Sequence, residues 1–352
     1  MTYVRLAFVY CYALLTVLAF CEPAVPGVMW TMVMPAVPFA VTIIGFTWWR
    51  SVCPLAAAGA LGAHFSRAQG PRAPALLRSF PLSAALVLLG VALTIRLVAI
   101  NGSGPALGAI LLLIALAAFF VNLSWGGRSF CNHLCPVGVV ERIYTDGAPL
   151  LAARAGRCRP CTGCKARCPD AQQERAFEND LESADRRWAS YAFPGLVWGF
   201  YAYYFLREGE WAAFFDGRWT SLSFGGKSLF GPGFYFLPQL PAVIAAPLTL
   251  VAACAVGYGA FCAVEQLLGR HQPDARLVRR RCLALAAFCA FNSFYLFAGA
   301  PTLLLFPCAA RLTAFVVPVV ATIVLLRRWK HDAVSPARIK LPVIAQGGQP
   351  CI

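Results

Sequence analysis

The sequence predicts an all-α integral membrane helical bundle of about eight spans, interrupted by one small cytoplasmic insertion. Three observations carry this. Of the 352 residues, 59% are hydrophobic and only 13% charged, about half the charged share of an average soluble domain; the mean hydropathy is +0.66. The apolar residues come in blocks near the roughly 20 residues that a helix needs to cross a hydrocarbon core about 30 Å thick. Basic residues, finally, gather in every second connection between blocks.

The blocks fall at 5–21, 26–49, 82–100, 105–123, 189–206, 241–268, 282–299 and 302–326. They divide the chain into a first group of four helices (1–123), the insertion (124–188), a last group of four (189–326) with a long outer loop at 207–240, and a tail (327–352). Arg5 and the apolar run to Phe20 resemble a signal peptide. No small-x-small cleavage site follows, and Phe20 before Cys21 does not suit a lipoprotein box, so this is read as a retained first span.

The connections 50–81, 124–188 and 269–281 and the tail hold 24 of the 30 Lys and Arg residues, whereas the opposite side has only Arg207, Arg218 and Lys227. Positive charge beside spans marks the cytoplasmic side, which places both termini and the insertion in the cytoplasm. The net charge of +15 is therefore a topology signal, and nucleic acid is not an expected partner. The outer loop is rich in Trp, Phe, Tyr and Gly, a composition suited to lying on the headgroup layer; a docking surface for a periplasmic partner or a quinone entrance is the alternative. Arg311 falls mid-membrane if the last turn is at Pro301, and at the outer surface if it is at Pro307-Cys308.

The insertion carries the chemistry. It reads C-N-H-L-C-P from Cys131 to Pro136, then C-R-P-C-T-G-C-K-A-R-C-P from Cys158 to Pro169. Four cysteines spaced x2, x2, x3 before a proline form the ferredoxin pattern for 4Fe–4S clusters, in which the fourth thiolate commonly serves a second cluster. Such thiols must be reduced, which agrees with a cytoplasmic location. Cys158, Cys161, Cys164 and Cys168 are thus candidate ligands to one cluster. Alternatively, Cys158, Cys161 and Cys164 take Cys135 as fourth ligand, while Cys168, Cys131 and Cys53 serve a second, with Cys282, Cys262 or His133 completing it. One or two clusters are expected. Zinc is the competing reading, because paired C-x2-C also binds zinc. Cys53 follows Arg50-Ser51-Val52 as Cys131 follows Arg128-Ser129-Phe130, which suggests a degenerate internal repeat. The remaining cysteines in apolar blocks read as small apolar residues.

The stretches Gly127–Gly138 and Cys158–Pro169 resemble the membrane polyferredoxin-like 4Fe–4S family, which includes NapH and MauN accessory proteins, the membrane half of NosR and CcoG-type assembly proteins. The resemblance implies electron exchange between the quinone or quinol pool of a bacterial cytoplasmic (inner) membrane and clusters at the cytoplasmic face, or with a redox partner. It also implies an alternative: maturation of a client metalloenzyme by reduction of its metal or thiol. Many members carry two C-x3-C-P motifs and two ferredoxin runs. Here the first motif is reduced to Cys53-Pro54 and one run is present.

The four histidines lie outside the apolar blocks, so no axial pair for a membrane haem is evident. Nor is a C-x-x-C-H, a dinucleotide fingerprint or a P-loop, so no haem, flavin or nicotinamide site is expected. A catalytic acid–base set is not legible. Glu265 is the one carboxylate inside an apolar block and is read as an interfacial side chain reaching water, with a quinone-linked proton acceptor as the alternative.

Overall fold

The computed structural model describes residues 2–66, 73–100, 102–145, 177, 180–211, 229–299 and 308–331. In chain order the helices are α1 (Thr2–Cys21), α2 (Val25–Val28), α3 (Met34–Ile44), α4 (Phe46–Val52), α5 (Pro54–Phe65), α6 (Ala75–Ser79), α7 (Pro81–Ile95), α8 (Gly104–Trp125), α9 (Ser129–His133) and α10 (Pro136–Thr145). There follow α11 (Ala184–Glu208), a hairpin of β1 (Pro232–Phe234) and β2 (Leu237–Pro241), then α12 (Ala242–His271), α13 (Ala275–Phe294) and α14 (Cys308–His331). Single π-turns link α2 to α3 (Met29–Val33) and extend α7 (Arg96–Ile100) and α13 (Tyr295–Gly299).

Local chemistry sets the helix ends. Ser103, Ser183 and Asp274 accept first-turn N–H groups at the starts of α8, α11 and α13, satisfying donors that have no partner within the helix. Asp185 does this at a distance: its two oxygens accept from the N–H groups of Leu82 and Ser83, at 3.0 and 2.8 Å, so α11 caps α7. Gly45 at φ 76° breaks the second apolar block between α3 and α4, a backbone conformation only glycine adopts cheaply.

The helix α11 is the axis of the bundle, buried along most of its length and packed against α12, α13 and α7. Glycines permit its closest approach. A Cβ on Gly195 would collide with the Ala253 carbonyl oxygen of α12, and one on Gly257 would lie 2.7 Å from the Gly195 nitrogen. Gly195 and Gly199 form the small-x3-small spacing that lets membrane helices touch backbone to backbone. A second layer is built on α8, which packs on α5 and α1. Antiparallel contact with α1 sets Ala19 beside Gly104, and Tyr12 donates to the Leu111 carbonyl at 2.7 Å. Between the layers, α10 wedges against α7, α3 and α13, so the described part of the insertion is packed into the helix ends.

Among the described residues, five helices are long and apolar enough to cross a membrane: Tyr3–Cys21, Pro81–Ile100, Gly104–Trp125, Ala242–His271 and Ala275–Ala298. This is compatible with a membrane protein, as is the row of exposed apolar residues Leu248, Val251 and Val256 on α12. The other three apolar blocks are also helical where described, but differ physically. The second is broken at Gly45, the fifth is the tyrosine-rich α11, and the eighth enters the description only at Cys308. The backbone of Arg311 belongs to the first turn of α14. At the other end of α11, the β1–β2 hairpin folds over the helix: Tyr235 N–H donates to the Leu206 carbonyl, and Trp211 stacks on Phe205 with centroids 4.1 Å apart.

Candidate metal centre

Two Cys-Pro steps open two helices. A residue before proline is driven to extended backbone, and proline at the first helical position removes an N–H that had no partner anyway. Cys53, at φ −58° and ψ 129°, thus immediately precedes α5, which begins at Pro54; Cys135 likewise precedes α10, which begins at Pro136. Each sulfur sits over a helix N-terminus, with Leu55 and Ala56 N–H groups directed to Cys53 and the Gly138 N–H to Cys135. The Arg-Ser-apolar-Cys alignment pairs Cys53 with Cys131, but the backbone gives Cys53 the role of Cys135.

Cys53, Cys131 and Cys135 are all buried and share one cluster with Val41, Trp49, Leu55, Ala118 and Phe130. Burial, with the Glu141 carboxylate adding to it, pushes the Cys53 thiol up to about 11. Cys135 is driven well above the ordinary thiol range by burial, then by Cys131, Glu141 and Cys53. Thiolates in such surroundings call for positive charge beside them, which a metal supplies. Gly138 lets α10 close over this turn: a Cβ there would lie 2.7 Å from the Cys131 carbonyl oxygen and 3.5 Å from the Cys135 Cβ.

Arg50 braces the site. Its guanidinium donates to Glu141 Oε2 (2.8 Å), Asn132 Oδ1 (2.7 Å) and the Cys131 carbonyl (3.2 Å), tying α4 to α9 and α10. The sequence places Arg50 among solvated loop charges, but it is 2% exposed. Asn122 adds a tie from α8, its Oδ1 accepting the Phe130 N–H at 2.8 Å. His133 points away: its Nδ1 donates to the Leu77 carbonyl at 3.1 Å, which fixes the proton on Nδ1 because a carbonyl only accepts. Burial lowers its basicity, despite that hydrogen bond, with Arg142 and Arg78 adding to the effect.

Cys158, Cys161, Cys164 and Cys168 lie outside the described residues. The described residues that follow them, Phe177 and those from Asp180, are fastened to the helix ends. Asp180 faces Arg142 at 3.6 Å and Arg186 at 4.0 Å, Glu182 faces Arg276 at 3.2 Å, and Phe177 lies under the guanidinium groups of Arg186 and Arg280.

The two remaining thiol candidates are elsewhere. Cys282 packs with Phe177, Leu181, Tyr191 and Phe261, with Cys262 at the edge of the same group, and neither joins Cys53, Cys131 and Cys135. Beside them Glu265, expected to reach water from the interface, is largely taken up by protein partners. It accepts from Arg187 Nε (2.9 Å), Arg279 Nε (3.0 Å) and the Tyr191 hydroxyl (3.2 Å), and it has 13% side-chain exposure. Two arginines contributed by other helices were the missing information.

Among the described residues no three His, Cys, Asp or Glu side chains converge on a single-ion position. A cubane places each thiolate on a different iron, so its ligands stand further apart than those of one ion. Three buried thiols, two of them receiving backbone N–H groups, fit that kind of donor set.

A family model described as a 4Fe-4S binding domain matches residues 107–152, which fits an iron–sulfur protein. The match spans α8, α9 and α10, includes Cys131 and Cys135, and ends before the ferredoxin run. No curated protein and no solved structure matches the chain.

Proposed function

We propose that this is a membrane-bound iron–sulfur electron-transfer protein, exchanging single electrons between the quinone or quinol pool and 4Fe–4S clusters at the cytoplasmic face, or a redox partner docked there. The observation that carries the reading is the meeting of Cys53 with Cys131 and Cys135 in one buried group, the last two inside the 4Fe-4S match. In this reading those three thiols hold a cluster together with one thiolate of the Cys158, Cys161, Cys164 and Cys168 run, and a second cluster draws on the rest of the run. A bound cluster supplies storage of one electron. The chain's own residues shape its surroundings: Arg50 fixes the Cys131 carbonyl, and the N–H groups of Leu55, Ala56 and Gly138 favour the more negative, reduced state.

The reading extends to topology. Eight spans, with both termini and the insertion in the cytoplasm of a bacterial inner membrane, account for the alternation of basic connections. The basic residues Arg157, Arg159, Lys165 and Arg167 suit an acidic partner. The test is quinol oxidation by anaerobically purified protein, followed by electron paramagnetic resonance of the reduced clusters. Signals that appear with quinol and vanish on reoxidation support the proposal; protein that holds iron and sulfide yet exchanges no electrons with quinol or quinone overturns the quinone half of it.

A further inference from the structure

A buried indole N–H stands in the group that holds the three thiols. Trp49 is 6% exposed and packs together with Cys53, Cys131 and Cys135. It lies four residues before Cys53, whose N–H donates to the Trp49 carbonyl at 2.8 Å, so both side chains project from the same face of this turn. Arg50, next in the chain, bonds the Cys131 carbonyl and holds the turn against α9. From α1, Phe8 covers the indole, the two rings meeting edge to face with centroids 6.2 Å apart.

Trp49 Nε1 is buried and has no hydrogen-bond partner among the described residues. Indole is a donor only, and a buried donor without an acceptor is uncommon, because nothing replaces the water it has lost. The oxygens bordering the group are engaged elsewhere. Glu141 and Asn132 accept from Arg50, and the Tyr12 hydroxyl donates to the Leu111 carbonyl at 2.7 Å. What remains beside this N–H is sulfur. A cubane on these thiols would add sulfides to the cysteinyl sulfurs, and both kinds accept hydrogen bonds that help to set the cluster's potential.

We propose that the Trp49 indole N–H is a hydrogen-bond donor to a sulfur of the cluster held by Cys53, Cys131 and Cys135, and that it raises the reduction potential of that cluster. The sign follows from charge: an added electron makes the sulfur a stronger acceptor, so the bond favours the reduced state. The inference rests on the assignment of the three thiols to a cluster and names a residue that tunes it.

The experiment is a potentiometric titration of the anaerobically purified full-length protein, followed by electron paramagnetic resonance. Trp49→Phe keeps an aromatic ring and removes the N–H. Iron and sulfide should stay at the unmodified level, while the reduction equilibrium of the cluster should fall about tenfold, a shift of about −59 mV for one electron. Trp30 is the control. Its Nε1 is also buried without a partner among the described residues, but its ring lies under the Arg96 guanidinium at 3.9 Å in a different group. Trp30→Phe should leave the potential unmoved. A potential unchanged in Trp49→Phe, or shifted as far in Trp30→Phe, overturns the proposal. Should Trp49→Phe lose its iron, pulsed resonance of protein carrying nitrogen-15 in its indole rings decides. A nitrogen coupled to the reduced cluster is expected in the unmodified protein and in Trp30→Phe, and its absence overturns the proposal. If the unmodified protein holds no iron and sulfide, the cluster assignment itself falls and takes this inference with it.

Discussion

Arg50 Nε lies 2.8 Å from Glu141 Oε2, with side-chain exposures of 0% and 4%. The pair joins α4, just before Cys53, to α10, just after Cys135, so two parts of the thiol pocket that are far apart in sequence are held by one ion pair. Charge burial of this kind is costly unless every polar atom is engaged. Arg50 meets the demand by also bonding Asn132 and the Cys131 carbonyl.

Removing one partner should therefore be worse than removing both. Arg50→Met leaves the buried Glu141 without this partner and is expected to destabilise the fold by about 3–5 kcal/mol, with loss of bound iron. Arg50→Met with Glu141→Leu should recover part of the stability, yet not the iron, because the Cys131 carbonyl and Asn132 still lack their brace. Thermal melts and iron analysis of the two variants separate these effects.

Glycine positions give a graded comparison. Gly195→Ala forces a Cβ into the Ala253 carbonyl at the α11–α12 contact, whereas Gly259→Ala on the same α12 meets nothing within 4 Å. The first should lower the melting temperature sharply. The second should be neutral or raise stability by up to about 1 kcal/mol, the helix preference of alanine over glycine. Equal behaviour of the two would show that α11 and α12 do not touch as described.

Gly138→Val tests the thiol turn itself. The added carbon would crowd the Cys131 carbonyl and the Cys135 Cβ, so iron content should fall while the α11–α12 contact, built on Gly195 and Gly257, keeps most of the helical circular dichroism. Full iron retention would show that α10 need not close over the cysteines.

Glu265→Gln removes the charge that holds Arg187 and Arg279. These pairs are part-exposed, so the loss should be modest, about 1 kcal/mol after allowance for solvent screening. Bound iron should stay unchanged, because Glu265 belongs to the Cys282 group and not to the thiol pocket. Iron loss in this variant would instead tie Cys262 or Cys282 to a cluster.

The parts of this fold that were legible in sequence are those set by local signals. Apolar block length marked the helices, and the Cys-Pro motifs marked thiol candidates without showing that each opens a helix. The ferredoxin spacing named the chemistry, which the 4Fe-4S match over 107–152 supports. What was not legible depends on contacts between distant residues. Arg50 looked like one more cytoplasmic basic residue because nothing near it in sequence announces Glu141. Glu265 looked solvated because its two arginines come from α11 and α13. The break at Gly45 was hidden inside a continuous apolar run, since hydropathy does not register a backbone turn.

The decisive measurement is iron and acid-labile sulfide per chain on anaerobically purified protein, with and without Ser in place of Cys53, Cys131 and Cys135. The pocket described above requires iron and sulfide in equal amounts, about eight of each for two cubanes, falling by about four in the triple variant. Zinc without sulfide in the unmodified protein, or an unchanged iron content in the triple variant, would refute the assignment of these three thiols to a cluster.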